Sequence, residues 1–159
     1  MKITSPEFHH GHPIPKRYSG EGEDVSPPLN WSGAPEGTHS FALVCADLDA
    51  TEETHSFVHW IVYGISSRIS FLPEGLPPVA EIEAPISAFQ GRNSFGNLGY
   101  GGPLPPEGTH RYVFTLYALD ADLGLRPGLG YSEVVSAMRG HILEQAGVKA
   151  TYHSEPSFK

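Results

Sequence analysis

Cysteine, lysine and arginine are the scarce residues of this chain, and their scarcity removes whole classes of function before any motif is read. A single cysteine, Cys45, in 159 residues leaves no intramolecular disulfide to form. It sits inside the apolar run FALVCA, which assigns it to packing rather than chemistry. Ten Lys and Arg against eighteen Asp and Glu give a net charge of −8, and the few cations form no cluster or stripe. Binding to a nucleic-acid backbone depends on neutralising it with Lys and Arg, so nucleic acid is not an expected partner. The same net charge repels small anions at long range, so an anion site would have to work through local donors in a sheltered pocket. No stretch approaches the apolar length of a membrane span, and the first residues lack a secretion-signal pattern. With no basic amphipathic helix or lipidation motif either, no stable membrane insertion is expected, and a soluble, cytoplasmic protein is.

Catalytic signatures are missing too. The chain has no G-x-S-x-G, no H-E-x-x-H, no paired C-x-x-C and no Walker loop, and the glycines at 99, 101 and 102 are not followed by the Lys and helix that a nucleotide loop requires. No metal or other cofactor is expected. His9, His10 and His12 lie close in sequence, but without Cys or carboxylate at ligand spacing they read as a solvated turn.

What is present is a chain long enough to bury roughly 70% of its unfolded surface around one core, with no linker, repeat or low-complexity tract, so residues 1–159 are expected to form a single domain. Residues 1–37 are dense in Pro and Gly, leaving room only for short strands and ordered loops, with Trp31 packed over an edge. Residues 39–49, HSFALVCADLD, form the first strong strand; alternation puts Phe41, Leu43, Cys45, Asp47 and Asp49 on one face. Two carboxylates ending an apolar face either point at a site or emerge into solvent. Residues 55–65, HSFVHWIVYGI, form a second buried strand with His55, Phe57, His59, Ile61 and Tyr63 on one face. His55 and His59 are then roughly 13 Å apart and cannot share a metal ion. On these residues alone, His59 is a satisfied core histidine or the wall of a pocket. A short helical turn is expected in APISAFQG, a helix over 131–146 from the four-residue recurrence of Val134, Met138 and Ile142, with Ser132 as its cap and Gly147 as its end, and a last strand over 148–152.

The chemistry concentrates in residues 99–119, GYGGPLPPEGTHRYVFTLYAL. A glycine-proline loop runs into a strand whose first same-face pair is His110 and Tyr112. Glycine backbone, an imidazole and a phenol supply donors suited to a small anion. If Asp47, Asp49, His59, His110 and Tyr112 converge, they form an acid, imidazole and phenol cluster without an activated nucleophile, so binding is the expected role.

The segments ITSPEF, DVSPPLNWSGAP, SFALVCADLDA, FVHWIVYGI and GRNSFGNLGYGGPLPPEGTHRYVFTLYALD resemble, in order and over nearly the whole chain, the phosphatidylethanolamine-binding protein family in its compact bacterial branch of Raf-kinase-inhibitor-like proteins. The resemblance implies a mainly β fold, a sandwich of two antiparallel sheets with a few peripheral helices, and a small pocket for phosphate-like anions. Carried over by position, it implies that Asp47, Asp49, His59, Gly101, Gly102, Pro103, His110 and Tyr112 bind the ligand. Leu48 and Thr51 stand where the family has prolines, which leaves that rim less restrained.

The expected function is therefore a non-catalytic binding protein for a phospholipid headgroup, a nucleotide or a phosphorylated side chain. His59 and His110 would donate to phosphate oxygens, Tyr112 would add a hydroxyl, and Asp47 and Asp49 would orient the imidazoles and raise their pKa values. The resemblance adds a protein kinase or protease as candidate partner and a homodimer as the expected assembly. The alternative is a hydrolase acting on a phosphate or acyl substrate with Asp49 or His110 as base.

Overall fold

The computed structural model describes residues 1–52 and 55–155. Ten strands, β1 (Lys2–Thr4), β2 (His12–Pro13), β3 (Leu29–Ser32), β4 (Ser40–Glu52), β5 (His55–Ser66), β6 (Phe71–Leu72), β7 (Glu81–Ile82), β8 (Ala88–Gln90), β9 (Gly108–Leu119) and β10 (Ile142–Ser154), are joined by one helix, α1 (Tyr131–Met138), and a 3-10 turn at Lys16–Tyr18. They form a seven-stranded sheet ordered β2-β10-β9-β4-β5-β8-β7 and a three-stranded sheet ordered β1-β3-β6. Neighbours are antiparallel except β2, the edge strand, which pairs with β10 in parallel through His12 and Pro13.

The long central strands are apolar on both faces because the large sheet is covered on both. Phe41, Leu43, Trp60, Val62 and Phe114 face the small sheet and pack with Ile3, Leu29, Trp31 and Leu72. Ala42, Val44, Ile61 and Tyr63 face the other way and are covered by Leu129 and by Val134 and Met138 of α1. Trp31 is thus a strand residue of the sandwich interior. Its ring meets Phe41 edge to face at 5.5 Å and its Nε1–H donates to Ile69 O.

Three sequence expectations give way here. The helix stops at Met138, and Gly140, at φ 82°, turns the chain back into β10. From Ala146 onward the buried positions are Val148, Ala150, Tyr152 and Ser154, a period of two that continues a strand, so Gly147 lies opposite Thr115 in a ladder instead of ending a helix. The helix starts one residue before the expected cap: Gly130 N–H donates to the Glu133 carboxylate, and Ser132 lies inside. In APISAFQG the regular element is β8, paired with β5.

Candidate functional site

The site lies where β5, β4 and β9 run side by side. Phe57, Asp47 and Tyr112 are direct neighbours across the three strands, and His110 follows on the same face as Tyr112. His59 reaches this group through a bulge. Adjacent Cys45 and Ala46 oppose Trp60 and Val58, so His59 is the extra residue on β5. Bulges re-aim side chains, and this one separates His59 from Ile61 and Tyr63, which pack on the opposite face of the sheet.

Together Asp47, His59, His110 and Tyr112 floor a cavity of about 210 Å³, walled by Ala50, Phe57, Phe95, Leu104, Pro105 and Pro106. Phe57, Phe95 and Tyr112 surround the His59 ring with centroids at 5.2, 5.4 and 5.2 Å. The wall carries two of the more exposed large apolar side chains, Phe95 and Leu104. The floor is polar and the rim is apolar, as in a site for a small polar group on an organic substituent.

Three of the four polar groups on the floor are held by hydrogen bonds from behind. Asp47 is 4% exposed. Its Oδ2 accepts from His110 Nδ1 at 2.6 Å and its Oδ1 from the Asp49 backbone N–H at 2.8 Å. His59 Nδ1 donates to Gly101 O at 2.6 Å, and Gly101 N–H returns a bond to His59 O. With both Nδ1 atoms committed, Nε2 is the ring nitrogen left to a ligand. Burial pushes His59 below the ordinary histidine range despite the opposing pull of Gly101 O and Asp47, so the expected rise in its pKa does not occur. The Tyr112 hydroxyl is buried beside the Asp47 carboxylate and makes no hydrogen bond of ordinary geometry among the described residues. Burial and the nearby Asp47 charge push its pKa up, so the phenol stays protonated.

The remaining expected residues are placed differently. Between the Asp47–Phe57 and Thr51–Ser56 pairs, Leu48, Asp49 and Ala50 bulge out of the ladder. Asp49 is thereby turned to Arg111, which meets it with its backbone N–H at 2.8 Å, Nε at 3.0 Å and Nη2 at 2.8 Å. Those bonds hold the Asp49 carboxyl at about 2 and keep it off the cavity floor. Gly101 and Gly102 lie outside the lining of this cavity, and their N–H groups go to His59 O and to Asp24 Oδ1. A Cβ on Gly101 would come within 2.7 Å of the Phe95 ring, so glycine there lets the loop lie under the aromatic wall. Pro103 lies behind the lining, its carbonyl accepting from Gly20 N–H. Phe57 was readable from its two-residue spacing to His59, whereas Phe95 and 104–106 come from loops that carry no periodic signal.

A sequence model of the phosphatidylethanolamine-binding protein family matches residues 4–153. The chain belongs to that family. A "UPF0098 protein" of Methanothermobacter thermautotrophicus is 41% identical over 152 residues, covering 96% of this chain and 98% of its own. Another from Aquifex aeolicus is 44% identical over 155 residues, covering 96% and 88%. Among solved structures, the phosphatidylethanolamine-binding protein homologue CT736 of Chlamydia trachomatis superposes with a TM-score of 0.86 at 39% identity, covering 97% of each chain. E. coli YbcL, a member of the same family, gives 0.87 at 31% identity over 97% and 98%. Family membership makes this a binding protein of the phosphatidylethanolamine-binding fold. No helix of the described residues is long and apolar enough to cross a membrane.

Proposed function

We propose that the chain is a non-catalytic binding protein whose cavity takes a small phosphate-like anion, with Tyr112 and His110 as donors and the aromatic wall around the substituent. The observation that carries this reading is the polar floor of an otherwise apolar cavity, where Asp47 holds His110 and the Tyr112 hydroxyl makes no hydrogen bond of ordinary geometry. Such a group costs a folded protein about 1–3 kcal/mol, which a ligand oxygen would offset. Asp47 Oδ2 accepts from His110 Nδ1 at 2.6 Å and fixes that ring, leaving Nε2 for a ligand. A phospholipid headgroup, a nucleotide or a phosphorylated side chain of a kinase or protease partner could each present the anion. The hydrolase alternative draws no support from the geometry. The described lining holds no Ser, Thr, Cys or Lys, and Cys45 is a buried thiol pushed well above its ordinary pKa.

Calorimetric titration with inorganic phosphate tests the reading. Saturable binding is expected that is lost in His110→Ala. Affinity that ignores the His110 substitution would contradict it.

A further inference from the structure

Gly101 and Gly102 share one peptide unit, and both of its polar ends are taken. The Gly101 carbonyl accepts from His59 Nδ1 at 2.6 Å, and the Gly102 N–H donates to Asp24 Oδ1 at 2.7 Å. A trans peptide is planar with its C=O and N–H pointing in opposite directions, so fixing one end fixes the other. A carbonyl oxygen only accepts. In this orientation the proton of neutral His59 sits on Nδ1, and Nε2 is a bare acceptor. Turned over by half a rotation, the same unit would present the Gly102 N–H to His59 Nδ1, and the ring proton would move to Nε2. The glycines on either side oppose that rotation little. The Gly101 N–H bond to His59 O holds the preceding unit, and the bonds from the Tyr100 hydroxyl to Tyr18 O and from Gly20 N–H to Pro103 O hold the loop elsewhere. Only the Asp24 carboxylate grips the N–H end of this unit, and after a rotation it would face the Gly101 oxygen, repelling it.

We infer that Asp24, which lies outside the cavity lining, is a positioning residue that sets the tautomer of His59 through the Gly101–Gly102 peptide. Its backbone fits that role. Asp24 stands at φ 58°, the one non-glycine position with positive φ among the described residues. Aspartate tolerates the left-handed region better than most side chains, and such a conformation persists where the surrounding structure holds it. Here it aims the carboxylate at the Gly102 N–H. The inference deepens the binding reading, because it fixes what one group on the cavity floor offers a ligand. It is read on the free chain, however, so its failure leaves anion binding standing, and a failed phosphate titration leaves the tautomer assignment standing.

The test is the nitrogen-15 spectrum of the histidine rings of the whole chain at about pH 8, above the ordinary histidine range, where a neutral ring shows which nitrogen carries the proton. In the wild type, His59 should have a protonated Nδ1 and a bare Nε2. Asp24→Gly removes the acceptor and suits the left-handed backbone; the two His59 ring signals should then move toward each other as the second tautomer becomes populated. Asp24→Asn keeps an acceptor oxygen without the charge and should retain the wild-type pattern. The His110 ring, held by Asp47, should keep its signals in both variants, whereas a general loosening of the fold would move them as well. A wild-type His59 protonated on Nε2, or unchanged His59 signals in Asp24→Gly, would overturn the inference. So would Asp24→Asn behaving like Asp24→Gly, because charge and not the orientation of the peptide would then be what matters. Should Asp24→Gly not fold, hydrogen exchange in the wild type decides. A Gly102 amide as protected as that of Gly101 is expected, and rapid exchange at Gly102 would overturn the inference.

Discussion

Asp47 and Asp49 stand two residues apart on one strand, yet Asp47 is buried against His110 on the cavity floor while Asp49 lies outside it, clamped by Arg111. Alternation alone puts both on the same face. The bulge over 48–50 separates them, and the Asp49 N–H bond to Asp47 Oδ1 holds that bulge closed. Desolvation then decides what each carboxylate is worth. The buried one positions an imidazole and cannot be left unpaired; the outer one is bathed in solvent, where an ion pair contributes little.

That contrast is broken most severely by Asp47→Ala. Removing it strands His110 Nδ1 and the Asp49 N–H together, and a loss of about 2–3 kcal/mol in urea unfolding is expected, with loss of anion binding. Next comes Tyr112→Phe, which should leave the free protein as stable or more stable by up to about 1 kcal/mol, while phosphate affinity in calorimetry falls roughly tenfold. A drop in stability would mean that the hydroxyl has a partner in solution.

Acidification separates the two regions by pH. The folded pKa of His59 is depressed, so the unfolded chain takes up a proton first. Stability should therefore fall as the pH drops below the ordinary histidine value of 6.5, a slope visible in denaturation midpoints and absent in His59→Phe. Asp49 acts in a lower window. Its contribution is present above the ordinary carboxylate value of 3.8 and is lost as the pH falls toward about 2. Asp49→Asn should give the smallest effect of the series, a slight loss of stability at neutral pH with phosphate affinity unchanged. Loss of binding in that variant would place Asp49 in the site after all.

The legible part of the site was the part that obeys simple periods. His110 and Tyr112 share a face, Phe57 accompanies His59, and the apolar runs around Val44 and Ile61 become the central strands. What alternation could not supply were the insertions that break it. The extra residue at His59 and the three at 48–50 change which side chains meet, and neither leaves a mark in composition. The overlong helix has the same origin. Val134, Met138 and Ile142 fit a helical stripe, but Gly140 takes a left-handed conformation between them and Ile142 emerges 41% exposed. The glycine loop was expected to supply donors, but Asp24 and His59 already hold its amides.

The most direct test of the central claim is an NMR titration of the four floor residues with inorganic phosphate, observing the histidine ring signals and the Tyr112 hydroxyl in one experiment. Saturable shifts at His59, His110 and Tyr112, with His55, His141 and His153 unmoved, are the predicted result. Shifts spread evenly over all the histidines, or none at the Tyr112 hydroxyl, would contradict it.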